Sequence, residues 1–167
     1  MRAVVLGGTG HIGTFLVPRL VEAGYDVTVV SRGNRQPYRK HAAWEAVRQV
    51  VIDRAAAEQA GTFCQQVLDL QPDVLLDIVC YRLESAVQLV EALRGKVQHY
   101  IFIGSIWVHG HSVVIPTSED QPRHPICDYG RQKAAIEDYL LDQARRCGFP
   151  ATVLHPGHIV GPGWLPI

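Results

Sequence analysis

Short runs of apolar residues alternate along this chain with longer segments in which apolar residues recur every three or four positions. The short runs predict strands at 2–6, 26–30, 47–52, 74–79, 100–103 and 151–154. The longer segments predict helices at 12–23, 55–70, 83–93 and 129–147. Strands that alternate with helices in this way are typical of an α/β protein with a parallel sheet.

Six strands and their connections divide into two βαβαβ halves. Right-handed crossovers then predict a doubly wound parallel sheet, a Rossmann fold, with strand order 3-2-1-4-5-6. The length of 167 residues suits one such domain over 1–167. In a sheet of this kind, ligands bind at the carboxyl ends of the strands, where the order reverses between strands 1 and 4. The long connection 104–127, with three prolines, is expected to be functional.

A glycine-rich turn joins the first strand to the first helix. It consists of Gly7, Gly8, Thr9, Gly10, His11, Ile12 and Gly13. Glycines allow a tight turn, a close approach of the backbone to a pyrophosphate, and close packing of helix on sheet. The start of the helix adds N–H groups and a positive dipole end that favour phosphate. Because the turn lies between a strand and a helix, it predicts a dinucleotide-binding site.

The end of the second strand bears on the choice between NAD and NADP. A carboxylate there normally holds the ribose 2′-hydroxyl of NAD, but this chain has Ser31 and Arg32, followed by Arg35. A guanidinium forms paired hydrogen bonds with a 2′-phosphate, so we favour NADP, with NAD as the alternative. Asp53, just past the third strand, is either an acceptor for the adenine amino group or the N-cap of the next helix.

Tyr129 and Lys133 lie four residues apart at the start of a predicted helix and so share one face. Ser105 follows the fifth strand, at the edge where the ligand is expected. A tyrosine phenol has a pKa of about 10, too high for a base at neutral pH. A nearby ammonium and a positive nicotinamide ring both favour the phenolate and lower that pKa. These residues therefore predict proton transfer at a substrate hydroxyl or carbonyl.

With these motifs in order, the sequence resembles the extended short-chain dehydrogenase/reductase family, in particular its NAD-dependent epimerase/dehydratase branch. The matching stretches are the glycine-rich turn, Asp77-Ile78-Val79-Cys80-Tyr81, Ile103-Gly104-Ser105, Tyr129-Gly130-Arg131-Gln132-Lys133, and His155-Pro156-Gly157 with Gly161-Pro162-Gly163.

The resemblance implies a role for each matched residue. Tyr129 would be the general acid/base, Lys133 would bind the nicotinamide ribose and tune Tyr129, and Ser105 would hold the substrate oxygen. The cofactor would also lie along the main chain of Ile78, Val79 and Cys80 and against the turn formed by Pro156 and Gly157.

The chain also departs from the family pattern. Gly104 stands where a small hydroxyl residue is usual, and His155 stands where an arginine is common. Ile106 and Trp107 occupy the place of the Asp-Glu pair of sugar 4,6-dehydratases, so that dehydration is not expected. Relatives continue into a smaller substrate-binding part beyond the equivalent of residue 167, which we expect to be largely missing here.

Composition and charge reduce the classes of partner, location and metal site that we expect. Sixteen basic and sixteen acidic residues give no net charge, so nucleic acid and membrane surfaces are not expected partners. Four scattered cysteines and a strand directly after Met1 predict a cytoplasmic protein without disulfides, signal peptide or membrane span. The pairs His109/His111 and His155/His158 have no acidic or cysteine companions at ligand spacing, so we expect no metal site. Trp107 and Trp164 are candidates for the wall of a substrate pocket or for packing.

The leading hypothesis is an NAD(P)-dependent oxidoreductase or epimerase that transfers hydride to or from a sugar, a nucleotide-sugar or another small alcohol or carbonyl. The alternative is a non-catalytic dinucleotide sensor, or a regulatory or RNA-binding module on the same fold. Retention of Ser105, Tyr129 and Lys133 argues for the enzyme. The resemblance also implies a homodimer through helices 83–93 and 129–147, for which apolar residues such as Ile136, Leu140 and Leu141 give weak support.

Overall fold

A computed structural model describes residues 1–112 and 114–163, so Trp164 lies outside the described residues. Within them, six parallel strands form one sheet in the order β3-β2-β1-β4-β5-β6, which confirms the predicted fold and strand order. The strands are β1 (Arg2–Leu6), β2 (Asp26–Ser31), β3 (Arg48–Val51), β4 (Val74–Asp77), β5 (His99–Ile103) and β6 (Ala151–Leu154).

Helices connect these strands and cover both faces of the sheet. They are α1 (His11–Glu22), α2 (Arg54–Gln59), α3 (Phe63–Asp69), α4 (Leu83–Leu93) and α5 (Asp128–Cys147), with short 3₁₀ turns at Ala42–Ala46 and Ile106–Val108. Among the described residues, no helix combines the length and the apolar character needed to cross a membrane.

The single helix predicted over 55–70 is wrong, because the structure has two helices there. Gly61 has a φ of 67°, in the left-handed region, so the right-handed helix ends before it. Its N–H donates to the carbonyl of Glu58 at 3.0 Å. The helix predicted from Tyr129 begins at Asp128 instead, and its N-cap is Cys127, whose Sγ accepts a hydrogen bond from the Gly130 N–H at 3.4 Å.

The central strands β1 and β4 are buried on both faces, which explains why they read as apolar runs, whereas the edge strands β3 and β6 are partly exposed. Val4 and Leu6 point into the core under α3, α4 and α5, while Ala3 and Val5 face the core under α1. At the carboxyl edge, Leu6 of β1 lies beside Asp77 of β4. This edge carries the site described below.

The apolar residues offered in support of a dimer belong largely to the core of one chain. Ile136 and Leu140 are 0% exposed, so neither is available to a second copy, and only Leu141 is partly exposed. The homodimer stays a prediction, and light scattering at micromolar concentration would contradict it by showing a monomer.

Candidate active site

A cleft of about 810 Å³ opens at the carboxyl ends of the central strands. Most predicted site residues line it: Gly7, Thr9, Gly10, His11, Ile12, Ser31, Arg32, Asp53, Ile78, Val79, Ser105, Tyr129, Lys133, Pro156 and Gly157. The remaining three, Gly8, Gly13 and Cys80, do not line it. The structure therefore brings together side chains from the whole length of the sequence in one groove.

The glycine-rich turn shapes one wall of the cleft. Gly7 has a φ of 85°, and its N–H donates to the carbonyl of Val30 at 2.8 Å, so the chain turns sharply at the end of β1. Gly10 is the N-cap of α1 and has no side chain to bond the first-turn amides. The start of α1, which lines the cleft at His11 and Ile12, thus presents a helix N-terminus to any ligand there.

Gly8 and Gly13 do not line the cleft but allow close packing around the glycine-rich turn. A Cβ on Gly13 would lie 2.0 Å from the carbonyl oxygen of Gly8, and one on Gly8 would lie 2.8 Å from Cγ2 of Val29. Real Cβ atoms do not approach other atoms so closely, so Gly13 allows α1 to lie against the turn, and Gly8 allows the turn to lie against Val29 of β2.

Replacing Gly13 by alanine is expected to lower the free energy of unfolding by about 1–3 kcal/mol. The sign is informative, because glycine to alanine inside a helix ordinarily stabilises by about 0.5–1 kcal/mol. Urea denaturation measures the difference. Gly157→Ala is the matched control, since its Cβ would meet only Cδ1 of Ile106 at 3.7 Å. A Gly13→Ala protein as stable as the wild type would show that the turn tolerates a side chain.

The corner after β2 contributes charge to the cleft. Ser31, Arg32, Asn34 and Arg35 all line it, and β2 ends without a carboxylate. Asp53 lines the same region, and its Oδ1 accepts a hydrogen bond from the Ala56 N–H at 3.2 Å. The N-cap interpretation of Asp53 is therefore confirmed, while its contact with adenine stays a prediction.

Lys133 reaches from α5 to the sheet edge between β4 and β5. Its Nζ donates to the carbonyls of Cys80 at 2.9 Å and Ile103 at 2.7 Å, and the residue is only 1% exposed. Burial lowers the pKa of Lys133 to about 8, although the nearby Asp77 opposes this shift. Cys80, predicted to line the cofactor, instead lies beneath the cleft and holds this ammonium through its carbonyl.

Two tyrosines face each other above Lys133. Tyr129 is 43% exposed and Tyr81 is 54% exposed, with ring centroids 6.4 Å apart. The Lys133 Nζ lies 5.7 Å from the centroid of Tyr129 and 5.0 Å from that of Tyr81. Burial and, next, Tyr129 raise the pKa of Tyr81, so Tyr81 is a neutral phenol at neutral pH.

Tyr81 was not among the predicted site residues, although it directly follows the predicted stretch 78–80. Its place after the exit of β4 was the available signal. Trp107, a candidate for the pocket wall, also lines the cleft. The side chains of Tyr81, Trp107 and Tyr129 therefore form an aromatic rim at the open side of the groove.

Ser105 begins a short turn beside these tyrosines. It is 5% exposed, and its Oγ accepts a hydrogen bond from the Trp107 N–H at 3.3 Å, which caps the 3₁₀ turn Ile106–Val108. The Ile106 N–H donates to the Pro156 carbonyl at 3.2 Å. The serine is thus held beside the turn that leaves β6, with its hydroxyl at the wall of the cleft.

A buried ion pair lies under the floor of the site. The guanidinium Nη1 of Arg54 donates to the Asp77 carboxylate at 2.8 and 3.0 Å, and the Tyr100 hydroxyl donates to the same carboxylate at 3.2 Å. Arg54 also donates to Glu58 at 2.7 Å. Burial and, next, Asp77 raise the pKa of Tyr100 well above its usual value. The sequence showed no partner for Asp77, although an acidic residue at the end of a buried strand requires one.

Over 1–112 and 114–163, no three histidine, cysteine, aspartate or glutamate residues cluster in a way that would hold a metal ion.

Known proteins and a protein family are similar to this chain in sequence. The sequence model of the NAD dependent epimerase/dehydratase family matches residues 3–166. The 2′-dehydrokanamycin reductase of Streptomyces kanamyceticus is 28% identical over 83% of this chain and 37% of its own length. A UDP-glucose 4-epimerase of Corynebacterium glutamicum is 26% identical over 96% of this chain and 52% of its own.

Solved structures agree with the fold. A UDP-galactose 4-epimerase superposes with a TM-score of 0.74 at 28% identity, covering 93% of this chain and 55% of the other. The chain thus spans about half the length, or less, of the proteins it matches.

Proposed function

Because the chain belongs to the NAD dependent epimerase/dehydratase family, we propose that it binds a nicotinamide dinucleotide in the cleft and catalyses hydride transfer at a hydroxyl-bearing carbon of its substrate. The observation that carries this proposal is the buried Lys133 ammonium, 5.7 Å from the ring of the half-exposed Tyr129 at the wall of the cleft. The ammonium donates to two main-chain carbonyls at the strand exits, and its position beside an exposed phenol in a cleft, together with its lowered pKa, favours a functional site.

The residues present fit a dinucleotide. The turn 7–12 supplies backbone and a helix N-terminus for the pyrophosphate, and Gly7 lies so close to Val79 that a Cβ would come within 2.4 Å of its Cγ1. Asp53, Pro156 and Gly157 all line the cleft, and in this proposal Asp53 would contact the adenine end while Pro156 and Gly157 would flank the nicotinamide end. When bound, the nicotinamide group supplies or accepts the hydride.

Side chains of this protein transfer the proton. Tyr129 donates a proton to the substrate oxygen on reduction and accepts it on oxidation, and the Ser105 hydroxyl holds the same oxygen by a hydrogen bond. The Lys133 ammonium, whose Nζ lies 5.7 Å from the centroid of the Tyr129 ring, favours the negative charge that develops on that hydroxyl during proton transfer, because opposite charges attract. With the pKa of Lys133 at about 8, this support is lost as the pH rises past 8, and activity is expected to fall there.

For the substrate we propose a sugar, a nucleotide-sugar or another small polar alcohol or carbonyl. The aromatic rim of Tyr81, Trp107 and Tyr129 offers flat apolar surfaces with polar edges, which suit the face of a sugar ring. The names of the matched reductase and epimerase belong to the same chemical range.

The direct test combines binding with turnover. NADPH and NADH fluorescence titrations report binding, and consumption of the reduced dinucleotide is then followed with a panel of sugar and aminoglycoside ketones. Binding with turnover supports the enzyme. Binding without turnover across the panel would favour the non-catalytic sensor, and absence of binding by folded protein would overturn the whole proposal.

Within this function we further propose NADP as the preferred cofactor, with NAD as the alternative. Arg32 and Arg35 line the cleft just after β2, which ends at Ser31 rather than at a carboxylate, so two guanidinium groups are available to a 2′-phosphate. The family's own name mentions only NAD, so the preference depends on these two side chains.

Replacing Arg32 and Arg35 together by alanine is expected to weaken NADPH binding by about tenfold to a hundredfold, the effect of losing charged hydrogen bonds. NADH binding should change by less than about threefold. Arg39→Ala is the matched control, because Arg39 lies outside the cleft and packs over Phe15. Equal losses for both dinucleotides, or a wild type that prefers NADH, would contradict the preference.

A further inference from the structure

A chain of polar side chains runs behind the site on the side of β6. The Nε2 of His155 lies 2.6 Å from Oε2 of Glu137, and Oε1 of Glu137 lies 2.9 Å from Nη1 of Arg123. The side chains of His155 and Glu137 are only 12% and 7% exposed. The Arg123 contact is an ion pair without hydrogen-bond geometry, so His155 is the hydrogen-bonding partner of this largely buried carboxylate, and removing it leaves a buried group less well compensated.

The His155 ring also packs against His109. Their ring centroids lie 5.3 Å apart at 74°, in an edge-to-face arrangement, and His109 is 7% exposed. His109 directly follows the 3₁₀ turn that Ser105 caps. Through this contact, His155 touches the segment that places the serine hydroxyl.

Two departures from the family pattern meet at this point. A Cβ on Gly104 would lie 2.9 Å from the Leu154 carbonyl oxygen and 3.3 Å from Cδ2 of His155. The Gly104 N–H donates to that same carbonyl at 2.8 Å. Gly104 and His155 therefore form one packing unit, in which the glycine leaves room for β6 and for the imidazole beside β5.

We propose that His155 is a positioning residue for the nicotinamide end of the cleft, acting through Glu137 and His109. Glu137 lies one helical turn after Lys133 on α5, so its bond to His155 ties that helix to the turn Pro156-Gly157. His155 itself does not line the cleft, whereas Pro156 and Gly157 do. The inference rests on the proposed function, since it assigns the nicotinamide to that end.

The test compares a whole dinucleotide with a fragment that lacks nicotinamide. For NADPH the fragment is adenosine 2′,5′-bisphosphate, and for NADH it is ADP. In His155→Ala, we expect affinity for the dinucleotide to fall about tenfold and the nicotinamide fluorescence enhancement to disappear. Affinity for the fragment should stay within about twofold, because the contacts described for His155 go to Glu137, His109 and Gly104 and not to the phosphate-binding turn.

Two further variants keep the test independent of folding. His155→Arg retains a donor to Glu137 and should restore dinucleotide affinity to within about threefold of wild type, while Glu137→Gln should weaken it in the same direction as His155→Ala. His99→Ala is the matched control: His99 also joins β5 to β6, through Oγ1 of Thr152 at 2.8 Å, but at the opposite end of the sheet.

Each outcome of these measurements tests either the positioning role of His155 or the proposed function. Unchanged dinucleotide affinity in His155→Ala, or equal losses for dinucleotide and fragment, would overturn the positioning role. Unchanged dinucleotide affinity in Glu137→Gln would show that Glu137 is not the link. A wild type that binds neither molecule would instead remove the proposed function on which the inference rests.

Discussion

Replacing Tyr129 by phenylalanine is expected to lower turnover by about a hundredfold to ten-thousandfold, the usual contribution of a positioned acid or base. The hydroxyl is the only group removed, and the ring continues to pack beside Tyr81 and over Lys133. Dinucleotide affinity should therefore stay within a few-fold of wild type. Initial rates with the carbonyl substrate identified in the panel, together with a fluorescence titration, measure both quantities.

Tyr81→Phe is the matched control, because it deletes a phenol hydroxyl from the neighbouring ring, whose centroid lies 6.4 Å away. The pKa of Tyr81 is raised rather than lowered, so this phenol is poorly suited to act as the base, and we expect a loss of less than about tenfold. Full activity in Tyr129→Phe would overturn the proposed mechanism. A larger loss in Tyr81→Phe than in Tyr129→Phe would show that Tyr81, and not Tyr129, transfers the proton.

Replacing Asp77 by alanine is expected to lower the free energy of unfolding by about 3–5 kcal/mol, the cost of leaving a buried charge without its partner. Asp77 is 0% exposed and receives hydrogen bonds from both Arg54 and Tyr100. Without it, the guanidinium retains Glu58 but loses its partner beneath the site. Urea denaturation followed by circular dichroism measures the change.

The matched control is Asp142→Ala, which removes an exposed carboxylate from a pair with Arg146 on α5 and should cost less than about 1 kcal/mol. An Asp77→Ala protein within about 1 kcal/mol of wild type would contradict the importance of the pair.

The candidate site shows which functional residues can be recognised from sequence motifs. Each motif consists of residues close together along the chain, at a strand exit for Ser105 and at a helix start for Tyr129 and Lys133, so all three are recognisable in the sequence, and the fold places them in one cleft. Cys80 shows what a motif does not predict, namely the direction in which a residue faces. Its position after β4 follows from the sequence, but whether it faces the ligand or lies beneath Lys133 depends on the path of the chain beyond the strand.

The amino-acid sequence alone determined the strand order, most element boundaries and the end of the sheet that carries the site. The periodicity of apolar residues and the glycine-rich turn were sufficient for this, because these features follow from local pattern and from the handedness of crossovers. Only the tertiary structure decided the pairing of Arg54 with Asp77, 23 residues apart, and of Glu137 with His155, 18 residues apart. It also decided the contact of Gly104 with β6. The physical reason is that the partner of a buried polar group is chosen by packing between distant segments, which the spacing of residues along a chain does not record.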